Sequence, residues 1–95
     1  MDYRKQFMVN PGEKLSLAGI DPSQSGPHAS AEAALPEVQK NVTRMDELQA
    51  LLYADGSQSL LVVLQALDAA GKDGVVRHLF SGMNPQGTRV FGFKQ

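Results

Sequence analysis

The apolar positions along the chain fall into three regimes. Through residue 34 they keep no period. Tyr3, Phe7, Val9, Leu15, Leu17 and Ile20 are scattered among prolines, glycines and serines. This pattern predicts an irregular N-terminal arm over residues 1–34, with turns at Asn10-Pro11-Gly12 and Asp21-Pro22. The six large side chains are its expected docking points. Next, Leu35, Val38, Val42, Met45, Leu48 and Leu52 recur at spacings of three and four, which places them on one helix face. Pro36 fits a first turn, so this helix starts near Leu35, or starts at Ser30 and bends. Asp55-Gly56 ends it. In the third regime the run SLLVVLQA, residues 59–66, is apolar on both faces and reads as a strand buried on both sides. A helix is expected from Gly71 or Lys72 to Phe80, stopped by Ser81-Gly82. A turn at Asn84-Pro85-Gln86-Gly87 and a second strand over 88–93 follow. The order strand, loop, helix, turn, strand is one βαβ unit with a right-handed crossover. The expected class is therefore α/β with a parallel sheet.

The candidate chemistry lies between the first strand and its helix. Residues 66–74 read ALDAAGKDG. Set against the phosphate-binding pattern G-x-x-x-x-G-K-[ST], Gly71 and Lys72 match, while Ala66 and Asp73 depart. Small residues at Ala69, Ala70 and Gly71 let backbone N–H groups approach phosphate oxygens. A helix starting there aims its free N–H groups and positive dipole end at the anion. Lys72 adds a full charge on a flexible stem. Asp68 and Asp73 sit well beside phosphates only with a cation between, which points to Mg2+. The same string also serves as a plain strand-to-helix turn with a capping aspartate. Arg77 follows on the helix within reach of a polyanion, although a solvated face is the commoner fate. Lys94 falls at the carboxyl end of the second strand, the side on which open α/β sheets bind ligands. No G-x-G-x-x-G is present, so a dinucleotide fold is disfavoured.

Composition narrows the partners. Nine Lys and Arg against ten Asp and Glu give a net charge of −1, which argues against a nucleic-acid-binding module. The chain has no cysteine, which excludes a disulfide scaffold and a cysteine zinc site. The longest apolar run, Leu60 to Leu64, is far short of a membrane span, and the opening MDYRKQFMVN has no signal-peptide pattern. A cytoplasmic protein without membrane attachment is expected.

The stretch LLVVLQALDAAGKDGVVRHLFSGMNPQGTRVFGFKQ resembles the N-terminal core of the type 2 polyphosphate kinase family, the polyphosphate:nucleotide phosphotransferases. The opening YRKQFMVNPGEKLSLAGIDPSQSG and the later ELQALLYADG are similar to the arm and first helix of that family. The resemblance implies a P-loop NTPase-like parallel sheet with flanking helices, with residues 35–95 as the N-terminal part of the kinase core. It implies Mg2+-dependent phosphoryl transfer between inorganic polyphosphate and a nucleoside mono- or diphosphate. By position, Asp68 and Lys72 would be catalytic, Asp68 placed to hold Mg2+ or orient the acceptor. Ala69, Ala70, Gly71, Lys72, Asp73, Gly74 and Arg77 would line the phosphate and nucleotide site. The family members are longer than this chain and tend to oligomerise. An incomplete fragment is therefore expected: one βαβ unit, a preceding helix and the arm. It should be poorly stable and nearly inactive alone, and should form a homo-oligomer or join a complementary fragment. A non-catalytic phosphate-binding or interaction fragment is the alternative.

Overall fold

In the computed structural model, which describes residues 2–93, the chain holds three α-helices: α1 (Arg4–Phe7), α2 (Ala31–Asp55) and α3 (Lys72–Leu79). Short 3-10 turns lie at Leu17–Gly19 and Pro85–Gly87. The expectation for Lys94 falls outside the described residues.

α2 forms because both of its ends are written into the sequence. Ser30 is extended (φ −154°, ψ 168°) and its hydroxyl accepts the Ala33 N–H at 3.1 Å, satisfying one first-turn donor. The helix thus takes the earlier of its two possible starts and runs through Pro36, which leaves the Glu32 carbonyl without its helical N–H. Gly56 ends it in the left-handed region (φ 68°), with its N–H on the Leu52 carbonyl at 3.1 Å. Part of the expected apolar stripe is covered: Val38, Val42, Met45 and Leu52 are half-buried, whereas Leu35 and Leu48 stay exposed. The turns in the arm form as read. Glu13 N–H reaches the Asn10 carbonyl at 3.1 Å across Gly12 (φ 80°), and Ser23 N–H reaches Asp21 Oδ1 at 2.9 Å.

The parallel sheet and the βαβ unit do not form. Among the described residues there is no strand, and neither 59–66 nor 88–93 enters a ladder. The physical reason is where the hydrogen bonds come from. A helix closes its bonds within its own segment, so α2 and α3 persist locally. A strand takes its bonds from a neighbour, and no described segment pairs with either run. Leu61, Val63 and Leu67 accordingly stand about four-fifths exposed, and among the described residues none is fully buried. The Cα radius of gyration is 15.8 Å, against about 12.4 Å for a compact domain of this length. No described helix is long and apolar enough to cross a membrane.

The arm also departs from expectation. Phe7, Val9, Leu15, Leu17 and Ile20 are exposed, and Tyr3 alone of the six is half-buried. Its fastening is polar. The Tyr3 hydroxyl donates to Glu37 Oε2 at 2.9 Å and lies 2.8 Å from His28 Nε2, which is itself 2.8 Å from the same carboxylate oxygen. Because the single hydroxyl proton goes to Glu37, Nε2 carries the ring proton shared between the two oxygens. The Phe7 ring stacks beside Tyr3, centroids 6.3 Å apart. Donation from Tyr3, and secondarily the His28 charge, hold the Glu37 carboxyl below its usual range; burial, followed by Glu37, pushes the Tyr3 phenol up. A depressed carboxyl contributes above its unfolded value and loses that contribution as pH falls through the folded one. A raised phenol contributes below its unfolded value and loses it as pH rises through the folded one. The arm is therefore expected to stay clasped near neutrality, and to release below the ordinary glutamate range and above the ordinary tyrosine range. Tyr3 ring shifts followed against pH check this; a flat profile on the acid side would contradict it.

Candidate functional site

Of the predicted site residues, Asp68 to Gly74 form one continuous stretch where the chain enters α3. Leu67 to Ala70 make a turn closed by the Ala70 N–H on the Leu67 carbonyl at 3.2 Å. Asp68 Oδ1 accepts the Ala69 N–H at 3.1 Å. Ala69 has φ 61°, the only non-glycine among the described residues in the left-handed region. Its place is the third position of a turn that normally asks for glycine or asparagine. The motif's first-glycine position is Ala66; the left-handed alanine of the structure lies three residues later, at Ala69. Gly71 (φ 95°) then caps α3 with its carbonyl on the Val75 N–H at 3.0 Å.

The two left-handed residues turn the backbone so that α3 begins abruptly. Gly71 contributes no capping side chain. Among the described residues, the N–H groups of Lys72, Asp73 and Gly74 take no partner. These are the donors that a helix start leaves open, at the positive end of its dipole. Lys72 is half-buried at this end, and Asp68, Ala69, Ala70, Gly71, Asp73 and Gly74 are exposed around it. Arg77 is exposed in the last turn with His78, where both complement the negative helix end. Asp68 to Gly74 are thus brought together, whereas Arg77 is at the opposite end of α3 from the open donors. Concavities lie elsewhere, beside α1 (Asp2, Lys5, Gln6) and at the end of α2 (Gln49, Leu52, Tyr53).

The left-handed backbone makes two substitutions informative. Gly71→Ala forces a β-carbon into a conformation costing about 1–2 kcal/mol, whereas Ala69→Gly removes a strain of that size. Glycine adds back part of that gain as conformational freedom lost on ordering. Amide exchange at Val75, whose N–H reports the start of α3, is expected to quicken roughly tenfold in Gly71→Ala. At Ala70 it should slow or hold in Ala69→Gly. Faster exchange at Ala70 in that variant would show that Ala69 is not strained.

Mg2+ would need oxygen donors here. No group of three or more His, Asp and Glu converges among the described residues. One oxygen of Asp68 is engaged by Ala69 and the exposed carboxylate keeps its other oxygen uncommitted. That suits an ion which keeps most of its waters and takes one or two carboxylates plus phosphate oxygens. Asp68 fits as such a single ligand.

Sequence reasoning missed three features: the Tyr3–His28–Glu37 clasp, the strain at Ala69, and a close approach of Gly82 and Gly87 to α2. Only the last left a signal, two glycines bracketing the Asn84-Pro85-Gln86 turn.

A tight turn feeding a short helix, with lysine first in the helix and an aspartate in the turn, is an arrangement whose open N–H donors suit phosphate groups. Comparison with known proteins narrows that reading. Residues 28–95 match the family model Polyphosphate kinase 2, and the chain belongs to that family. It is 47% identical over 91 residues to an ADP-polyphosphate phosphotransferase of Rhodopseudomonas palustris, covering 95% of this chain and 31% of the relative. It is 42% identical over 90 residues to an AMP/ADP-polyphosphate phosphotransferase of Meiothermus ruber, covering 94% and 34%. The chain therefore spans about a third of the length of these curated relatives. No solved structure matches it.

Proposed function

We propose that the chain carries the phosphate-holding part of an enzyme that moves phosphoryl groups between inorganic polyphosphate and a nucleoside mono- or diphosphate. The observation that carries this reading is the open row of N–H donors at Lys72, Asp73 and Gly74, with the Lys72 side chain beside it. A polyphosphate chain offers closely spaced oxygens to such a row. The names of both relatives, one for ADP and one for AMP or ADP, support the substrate class. In this reading the loop is a P-loop, a variant Walker A segment. Gly71 and Gly74 keep it open, Ala69 and Ala70 keep it low, and Lys72 draws in phosphate oxygens. Asp68 would hold Mg2+, which neutralises phosphate charge when bound. Asp73 would reach the phosphates through that ion, and Arg77 would steer the polyanion from further along α3. A cytoplasmic setting, where nucleotides are abundant, goes with this reading.

Phosphoryl transfer depends on holding donor and acceptor in line, away from competing water. The loop here stands open to solvent, so the chain is expected to bind polyphosphate and to turn over little by itself. The test measures polyphosphate binding with and without Mg2+, and nucleotide phosphorylation, in the wild type and Lys72→Ala. Binding that ignores both the ion and the lysine would remove the loop from the reading. Product formed by the chain alone would show that it assembles a working site, as a homo-oligomer. A second reading, a binding or interaction fragment without chemistry, is favoured by the exposed apolar run at Leu60–Leu64; it predicts binding that persists when a complementary fragment is added, still without product.

A further inference from the structure

The turn after α3 sits on α2, and this is where the chain has its main contact between elements. The approach is close at two glycines. A β-carbon at Gly82 would meet the Asp46 carboxylate, 2.9 Å from its Cγ, so that this side chain must turn aside. One at Gly87 would displace the movable Gln49 amide and stand 3.0 Å from the stiffer Tyr53 ring. Neither glycine has a left-handed φ, so what they supply is room, not backbone freedom. Asp46, Gln49 and Tyr53 follow at spacings of three and four and make one seat on α2. Under Gly82, Asp46 Oδ1 is cut off from solvent and has no partner among the described residues. Burying a carboxylate oxygen unpaired is unfavourable, and that cost is borne at the contact itself.

The turn is joined to α3 without a break. Phe80 N–H bonds the Val76 carbonyl at 3.1 Å, Ser81 N–H the His78 carbonyl at 3.4 Å, and Met83 N–H the Phe80 carbonyl at 3.2 Å. Val76, Leu79, Phe80 and Met83 are half-buried along this path. α3 is a lever of eight residues, about 12 Å. Its far end carries Lys72 and its near end is seated on α2.

We propose that Gly82 and Gly87 are positioning residues, which seat the 81–87 turn on α2 and thereby set where the Lys72 loop stands. This rests on the phosphate reading of that loop. When the turn is seated only part of the time, the loop is correctly placed for that fraction, and apparent affinity is reduced in proportion. Locking the seat restores it.

The lock follows from the geometry. In a disulfide, a β-carbon lies about 3 Å from the distal sulfur, given an S–S bond near 2.04 Å. The Gly82 β-carbon position is 2.9 Å from Asp46 Cγ, where a cysteine sulfur would stand. The chain has no cysteine of its own, so the pair would be unambiguous. In the full chain, Asp46→Cys/Gly82→Cys is expected to close within one molecule on oxidation. Amide shifts of Gly71, Lys72 and Gly74 should then change, and polyphosphate should bind about threefold or more tightly than in the reduced form. Gly82→Ala should shift the same amides in the opposite sense and weaken binding. Asp46→Ala in that background should restore both, a rescue that general destabilisation would not allow. A bond that fails to close, or one that closes with the loop amides unmoved, overturns the proposal. If the amides move while neither form binds polyphosphate, the phosphate reading falls and the positioning role stands.

Discussion

Lys72→Ala is expected to weaken Mg2+-dependent polyphosphate binding by roughly tenfold to a hundredfold, the loss of one charge-assisted contact worth about 1.5–3 kcal/mol. The substitution should leave α3 in place, because alanine is the best helix former and Lys72 caps nothing. The backbone N–H groups of residues 72–74 survive the change, so binding should be reduced and not abolished. Titration by calorimetry, with helicity recorded in parallel, separates the lost charge from a lost helix. The salt dependence should fall as well, since one fewer cation meets the polyanion. Equal affinity in the two proteins would mean that the polyanion is held elsewhere, and the arm and the 84–87 turn would become the candidates.

The isolated chain is expected to self-associate and to melt without a sharp transition. It exposes 8880 Å2 at a mass of 10.2 kDa, where a compact monomer exposes about 5,300 Å2. The excess, roughly 3,500 Å2, is of the size that obligate partners cover. It is concentrated in segments that cannot hide it locally. Leu60, Leu61, Val63 and Leu67 are at least three-quarters exposed, as are Phe91 and Phe93. Apolar, unpaired and uncharged stretches of this kind pair with one another. Light scattering across concentrations, together with thermal melting, gives the answer. A clean monomer with a cooperative transition would show that these runs are covered within one chain.

Local rules were legible in the residues and non-local ones were not. The end of α2, the start of α3 and the turns at Asn10, Asp21 and Asn84 all follow from side chains a few positions away, whereas the pattern leaves the start of α2 open between Ser30 and Leu35 and assigns residues 31–34 to the arm. Asn84 Oδ1, for example, accepts the Gln86 N–H at 3.0 Å, as an asparagine before proline suggests. The loop from Asp68 to Gly74 could be read for the same reason, since consecutive residues need no fold to bring them together. The sheet failed because β-propensity reports what a segment does once it has neighbours. SLLVVLQA has the right side chains but no strand beside it among the described residues. Ala69 was missed because alanine carries no sign of a left-handed backbone; the pattern directed attention to Ala66. The Tyr3–His28–Glu37 clasp joins residues 34 apart in sequence through three polar side chains, for which no periodicity exists.

α2 also governs how the molecule moves through water. At 25 residues it is about 37 Å long, longer than either of the molecule's two shorter dimensions, 34 and 28 Å. Its amide bonds lie nearly along the helix axis. End-over-end rotation is the slow motion of an elongated body, and amides parallel to the long axis sense only that motion. Nitrogen relaxation along Ala31–Asp55 should therefore read as a heavier particle than the mass implies. Whether α3 shares that slow clock or keeps a faster one will show how stiffly the two helices are coupled.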